Sequence, residues 1–83
     1  MSEKNLYSLL EYLAKSIVNN PDDVTVEEHV NGKVVHLDLY VHPEDIGRVI
    51  GKQGRVANSM RAILRVVAAR NGKQVEMDVI DRA

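Results

Sequence analysis

The sequence predicts an α+β fold: a two-layer sandwich in the order αββααβ, with a three-stranded sheet carrying three helices on one face. Three observations predict it. Apolar residues recur at helical spacing over residues 3–18 and 55–70, two runs of period-two alternation bracket Asn31-Gly32, and a third such run covers 74–80. Strands that are apolar on one side need a helical layer there and water on the other.

Leu6, Leu9, Leu10, Leu13 and Ile17 form one stripe of the first helix, which Asn19-Asn20-Pro21 ends. Asn-Gly readily takes the positive φ angles of a type I′ turn, so Asn31-Gly32 is expected to be the two-residue loop of a hairpin. That register sets Val30 against Lys33, Glu28 against Val35, Val26 against Leu37 and Val24 against Leu39. Val24, Val26, Val30, Val35, Leu37, Leu39 and Val41 then share one face. Thr25, Glu27, His29, Val34, His36, Asp38 and Tyr40 share the other, which suits solvent.

Pro43-Glu44-Asp45 reads as a helix start, with proline at the first position and carboxylates at the positive end of the dipole. This helix is short, ending near Ile50. After Gly51-Lys52-Gln53-Gly54 a longer helix runs from Arg55 to Arg70, with Val56, Met60, Ile63, Leu64 and Val67 inward and Asn58, Arg61 and Arg65 opposite. Asn71-Gly72 stops it. Val75, Met77 and Val79 alternate with Gln74, Glu76 and Asp78 in the last strand.

The chain has 83 residues, 45% of them apolar and 28% charged, which predicts one domain over 1–83 with no room for a second. It holds no cysteine, which removes thiol nucleophiles, redox pairs, disulfides and thiolate-bound metals. A core this small makes self-association a reasonable expectation. No unbroken apolar segment follows the first residues and no window approaches the ~18 apolar residues of a membrane span, so a cytoplasmic location is expected.

The net charge of −1 hides an uneven distribution. Residues 1–45 carry nine acids and three bases, whereas residues 46–75 carry Arg48, Lys52, Arg55, Arg61, Arg65, Arg70 and Lys73 and no acid. Seven cations in that stretch are the footprint of a site for a polyanion. At its centre lies Ile46-Gly47-Arg48-Val49-Ile50-Gly51-Lys52-Gln53-Gly54-Arg55. Two glycines three apart permit a sharp turn and expose backbone N–H groups, which join the positive end of the next helix in a ready site for phosphate oxygens. Lys52 and Arg55 add mobile charge, and Arg48, Arg61 and Arg65 extend the field. Such a loop grips a nucleic-acid backbone. The aliphatic Val49 and Ile50 beside it would floor a groove for unstacked bases, in a chain with only 4% aromatic residues.

The run P-E-D-I-G-R-V-I-G-K-Q-G-R-V-A, placed after a hairpin and before a long helix and a strand, resembles the signature of type II KH domains, and the resemblance covers about residues 3–80. Within that fold the chain is similar to the KhpA (YlqC) family of small bacterial single-KH RNA-binding proteins. The resemblance implies that Gly51, Lys52, Gln53 and Gly54 clamp the backbone of about four single-stranded nucleotides. It implies too that Ile46, Val49, Ile50 and the second hairpin strand shape the base groove. It further implies an RNA chaperone or post-transcriptional regulator that influences peptidoglycan growth, cell shape and cell length. Homodimers and a complex with a KhpB-like partner, a larger RNA-binding protein with its own KH domain, are expected. Ala57, Ala62, Ala68 and Ala69 are small enough to let a second helix approach.

Three other readings compete. A sheet-face RNA reader needs exposed aromatics, whereas this sheet shows Glu27, Asp38, Glu76 and Asp78 with only Tyr40. A P-loop needs four residues between its glycines and a Ser/Thr where Gln53 stands. No enzyme, cofactor or metal is therefore expected, and His29 and His36, diagonal on the outer face, read as ordinary polar residues rather than as a weak metal site completed by Glu27 or Asp38. The third reading is a protein–protein adaptor whose basic face meets an acidic partner.

Overall fold

The computed structural model describes residues 4–81, the side chain of Lys4 excepted. The order is the expected one: α1 (Lys4–Ile17), β1 (Thr25–Asn31), β2 (Val34–Tyr40), α2 (Ile46–Ile50), α3 (Arg55–Arg70) and β3 (Gln74–Ile80). Single 3-10 turns at Pro21–Asp23, Pro43–Asp45 and Lys52–Gly54 tighten the connections. The start expected for the first helix at residue 3 lies outside the described residues.

The sheet runs β1-β2-β3, with β1 antiparallel and β3 parallel to the central β2. The hairpin differs from expectation in its register. Asn31 pairs with Val34, so the two-residue loop is Gly32-Lys33. Gly32 has φ +61° while Lys33 stays at negative φ, the pattern of a type II′ turn with glycine first rather than the type I′ turn expected for Asn-Gly. The Lys33 carbonyl then accepts a 2.8 Å bond from the N–H of Gln74, joining the turn to the start of β3. Moving the loop by one residue moves every partner by two, so the faces survive: Val26 meets Leu39, Val30 meets Val35 and Glu28 meets Leu37. His29 and His36 become direct rather than diagonal neighbours.

The inner face meets all three helices. Leu10 of α1, Val35, Leu37 and Leu39 of β2, Val49 of α2 and Leu64 of α3 are wholly buried together. Val30 was expected there but lies at the turn end of the hairpin and is 50% exposed. The buried side of α3 is also rotated from expectation: Ala57, Met60, Leu64 and Ala68 are buried, Val56 and Val67 pack at the margin, and Ile63 faces outward at 45% exposure. Ala57 and Ala68 are thus buried within the chain itself, Ala68 in the core cluster with the sheet residues. Only Ala62 and Ala69 of the four alanines remain exposed. Among the described residues no helix is long and apolar enough to cross a membrane.

Candidate nucleic-acid interface

The short helix α2 breaks at Gly51, whose φ of 74° and ψ of 176° lie in a region essentially closed to other residues. A Cβ on Gly51 would also run into the Val56 side chain and lie 2.9 Å from the Val56 backbone nitrogen. Gly51 is therefore the corner where α3 folds back onto α2. Gln53 (φ 57°, ψ 26°) and Gly54 (φ 75°, ψ 13°) follow in left-handed conformations and lead into α3. At Gly54 the space is open, the nearest atom to an added Cβ being Asn58 Nδ2 at 3.7 Å.

The turn presents backbone amides, though not those of its glycines. Gly51 N–H donates to the Gly47 carbonyl at 2.8 Å, and Gly54 N–H to the Gly51 carbonyl at 3.2 Å. Arg55 N–H is used on the Lys52 carbonyl. Among the described residues no acceptor is found for the N–H groups of Lys52 and Gln53, and both residues are exposed. Consecutive amides in a left-handed turn at the start of a 16-residue helix make a concave anion site.

Asp45 sets the position of this turn, a role that residue spacing did not disclose. Its carboxylate is completely buried. It accepts from Asn19 N–H at 3.1 Å, Asn20 N–H at 3.0 Å and the Asn20 side-chain amide at 3.1 Å, tying the end of α1 to the start of α2. Burial alone would push the carboxyl up, but these donors, with Arg48 Nε 4.0 Å away, hold it below its ordinary value. The expected interaction with the helix dipole is not accompanied by a side-chain cap. His42 caps instead, its Nδ1 accepting from Glu44 N–H at 3.0 Å.

The predicted site residues divide into two groups. Lys52, Gln53, Arg55, Arg48 and Arg65 are exposed, as is Ile50 at 38%. Val49, by contrast, is wholly buried and offers no surface to a base, and Ile46 packs half-buried against the core. Arg61 is also committed elsewhere: its Nε donates to the Met77 carbonyl at 2.9 Å and its Nη1 to Asn58 Oδ1 at 2.8 Å, which fastens α3 to the edge strand β3. Among the strands, β3 packs against α2.

The outer sheet face carries the opposite charge. Glu76 beside His36 Nδ1 raises the imidazole above its ordinary 6.5; burial opposes this, and Asp38 and Asp78 add to the rise. Phosphate is repelled from such a surface, whereas the exposed cations at the Gly51–Gly54 turn would attract it.

Comparison with known proteins shows the family. The family model for the KH domain of KhpA and KhpB matches residues 7–79. The RNA-binding protein KhpA of Halalkalibacterium halodurans is 45% identical over 74 residues, covering 89% of this chain and 97% of the relative. That of Clostridium perfringens is 43% identical over 72 residues, covering 87% and 96%, and that of Aquifex aeolicus 40% identical over 76 residues, covering 92% and 96%. A family model that matches residues 7–79, with relatives 40–45% identical over most of both chains, means that the chain belongs to the KhpA/KhpB family of KH domains.

Proposed function

We propose that this chain is a single KH domain that binds single-stranded RNA without catalysis, gripping the backbone at the Gly51–Gly54 turn. The observation that carries the reading is the pair of N–H groups on Lys52 and Gln53 that lack an acceptor among the described residues, set between exposed cations. Those amides take phosphate oxygens, and Lys52, Arg55, Arg48 and Arg65 supply charge. Ile50 is the aliphatic surface that meets bases, while Ile46 and Val49 hold α2 on the core beneath it. Arg61 acts on RNA by fixing α3 to β3. The names of the relatives support RNA as the polyanion.

The same reading places the protein in the cytoplasm as an RNA chaperone or post-transcriptional regulator of envelope growth and cell length, working with a KhpB-like partner. The outward stripe of α3, with Ala62, Ile63, Val66 and Ala69, is the surface for self-association.

The test compares Gly54→Asp with Glu27→Ala in binding a labelled single-stranded RNA. Aspartate fits the open left-handed position at Gly54 and opposes phosphate, so binding falls sharply, while the outer-face Glu27→Ala changes little. Contact with two to four phosphates gives a log–log salt slope of about −1.4 to −2.8. Equal losses from both variants contradict the assignment, and no RNA binding at any salt favours the adaptor.

A further inference from the structure

The three strands lay two rows of ionisable side chains across the solvent face of the sheet. His29, His36 and Glu76 are register partners in one row, and Glu27, Asp38 and Asp78 in the next. The strands contribute no lysine or arginine to the array; Arg61 and Arg65 of α3 border its His36, Glu76 and Asp78 end, and Arg61 donates to the Met77 carbonyl and to Asn58. His36 lies at its centre. Its Nε2 is 2.9 Å from Asp38 Oδ1 and 3.4 Å from Asp78 Oδ2, and its Nδ1 is 3.3 Å from Glu76 Oε1. His29 Nε2 reaches the other Asp38 oxygen at 3.7 Å.

A neutral imidazole has one N–H and one lone pair. Both nitrogens of His36 nevertheless face carboxylate oxygens, so the ring either carries a second proton and donates on both sides or, when neutral, leaves one lone pair that a metal cation can take. The spacing suits a metal ion. Ligands about 2.0–2.2 Å from a tetrahedral ion lie roughly 3.3–3.6 Å from one another; Asp78 Oδ2 stands 3.4 Å from His36 Nε2, Asp38 Oδ1 is nearer at 2.9 Å, and the ligand atoms of the three residues lie within 4.8 Å of one another. Glu76 on Nδ1 is the orienting carboxylate that metal-bound histidines usually have.

We propose that His36 Nε2, Asp38 and Asp78 bind one divalent transition-metal cation of the zinc class. Glu76 orients the imidazole, and His29 or water takes the fourth position. The mixed nitrogen and oxygen set selects Zn²⁺, Co²⁺ or Ni²⁺ over Mg²⁺ and Ca²⁺, which prefer oxygen alone. The site lies on the face away from the basic turn and does not depend on how that turn is used.

The test uses the full chain without a histidine tag, titrated with Zn²⁺ against a chromogenic chelator and separately with Co²⁺ followed by its visible absorption. One Zn²⁺ per chain with a micromolar Kd is expected, together with a rise in melting temperature. His36→Gln and Asp78→Asn each weaken binding by about tenfold or more and remove the thermal effect, while His42→Gln, on the loop before α2, leaves both unchanged. All these side chains contact solvent, and melting curves without metal report whether each variant is folded; should one variant not fold, the other decides. Absence of saturable binding below millimolar Zn²⁺, undiminished affinity in the folded variants, or equal affinity for Mg²⁺ overturns the proposal, the last because it would mark a merely acidic surface.

Discussion

Gly51 and Val56 are packed so closely that no side chain fits between them: an added Cβ would collide with the Val56 side chain and stand 2.9 Å from its nitrogen. The two glycines of the turn consequently do different work. Gly51 closes the corner between α2 and α3, whereas Gly54 borders open space. Gly51→Ala should cost at least about 1–3 kcal/mol for the backbone conformation alone, with more from the collision. Gly54→Ala should cost only about 1 kcal/mol, for its left-handed φ. Urea unfolding of the two variants checks this, and equal losses would mean that the corner relaxes without cost.

Gln53 is the only described non-glycine residue at positive φ. Asparagine tolerates that conformation better, so Gln53→Asn should raise stability by up to about 1 kcal/mol. Because the proposed grip uses the backbone N–H, RNA affinity should stay within about twofold of the original, a difference of under about 0.5 kcal/mol. A large drop in affinity would assign the contact to the glutamine amide instead.

Asp45 makes stability depend on acid. A carboxyl held below its ordinary 3.8 in the folded chain stabilises fully above the unfolded value, and the contribution disappears as pH falls through the lower folded value. Melting temperature should therefore drop on acidification below about pH 4. In Asp45→Asn, which turns an amide donor toward the donors of Asn19 and Asn20, it should be lower at neutral pH and the acid limb flatter. An unchanged acid limb would place the titration on other carboxyls.

Glu28 shares the inner face of β1 with Val26, and its Oε2 is buried with no hydrogen-bond partner among the described residues. Glu28→Met removes that unmet demand and keeps the length of the side chain. It should stabilise by about 1 kcal/mol, read from the midpoint of chemical unfolding. A loss of stability would reveal a partner for the carboxylate.

The elements were legible in the sequence because each depends on local spacing. A period of 3.6 identified α1 and α3, and alternation identified the strands. The register was not legible, since the choice of Gly32-Lys33 as the loop is coupled to the bond between Gln74 and Lys33 on a distant strand. Asp45 was missed for the same reason: its donors lie 25 and 26 positions upstream, and nothing beside it announces them. Within the candidate site, the turn and its cations could be read directly, but a helix of five residues is too short for periodicity to tell buried Val49 from exposed Ile50. The charge of Arg61 is visible in the sequence, whereas its bond to the Met77 carbonyl, which joins α3 to β3, is not.

The central claim is that the Gly51–Gly54 turn holds the RNA backbone. It is tested most directly by fluorescence anisotropy of a short labelled single-stranded RNA, titrated with the original chain and with a Lys52→Asp, Gln53→Asp variant shown to be folded. Both glycines remain, while the charge of the turn is reversed. The account predicts binding by the original chain and none by the variant; equal binding by both would place the RNA elsewhere and contradict it.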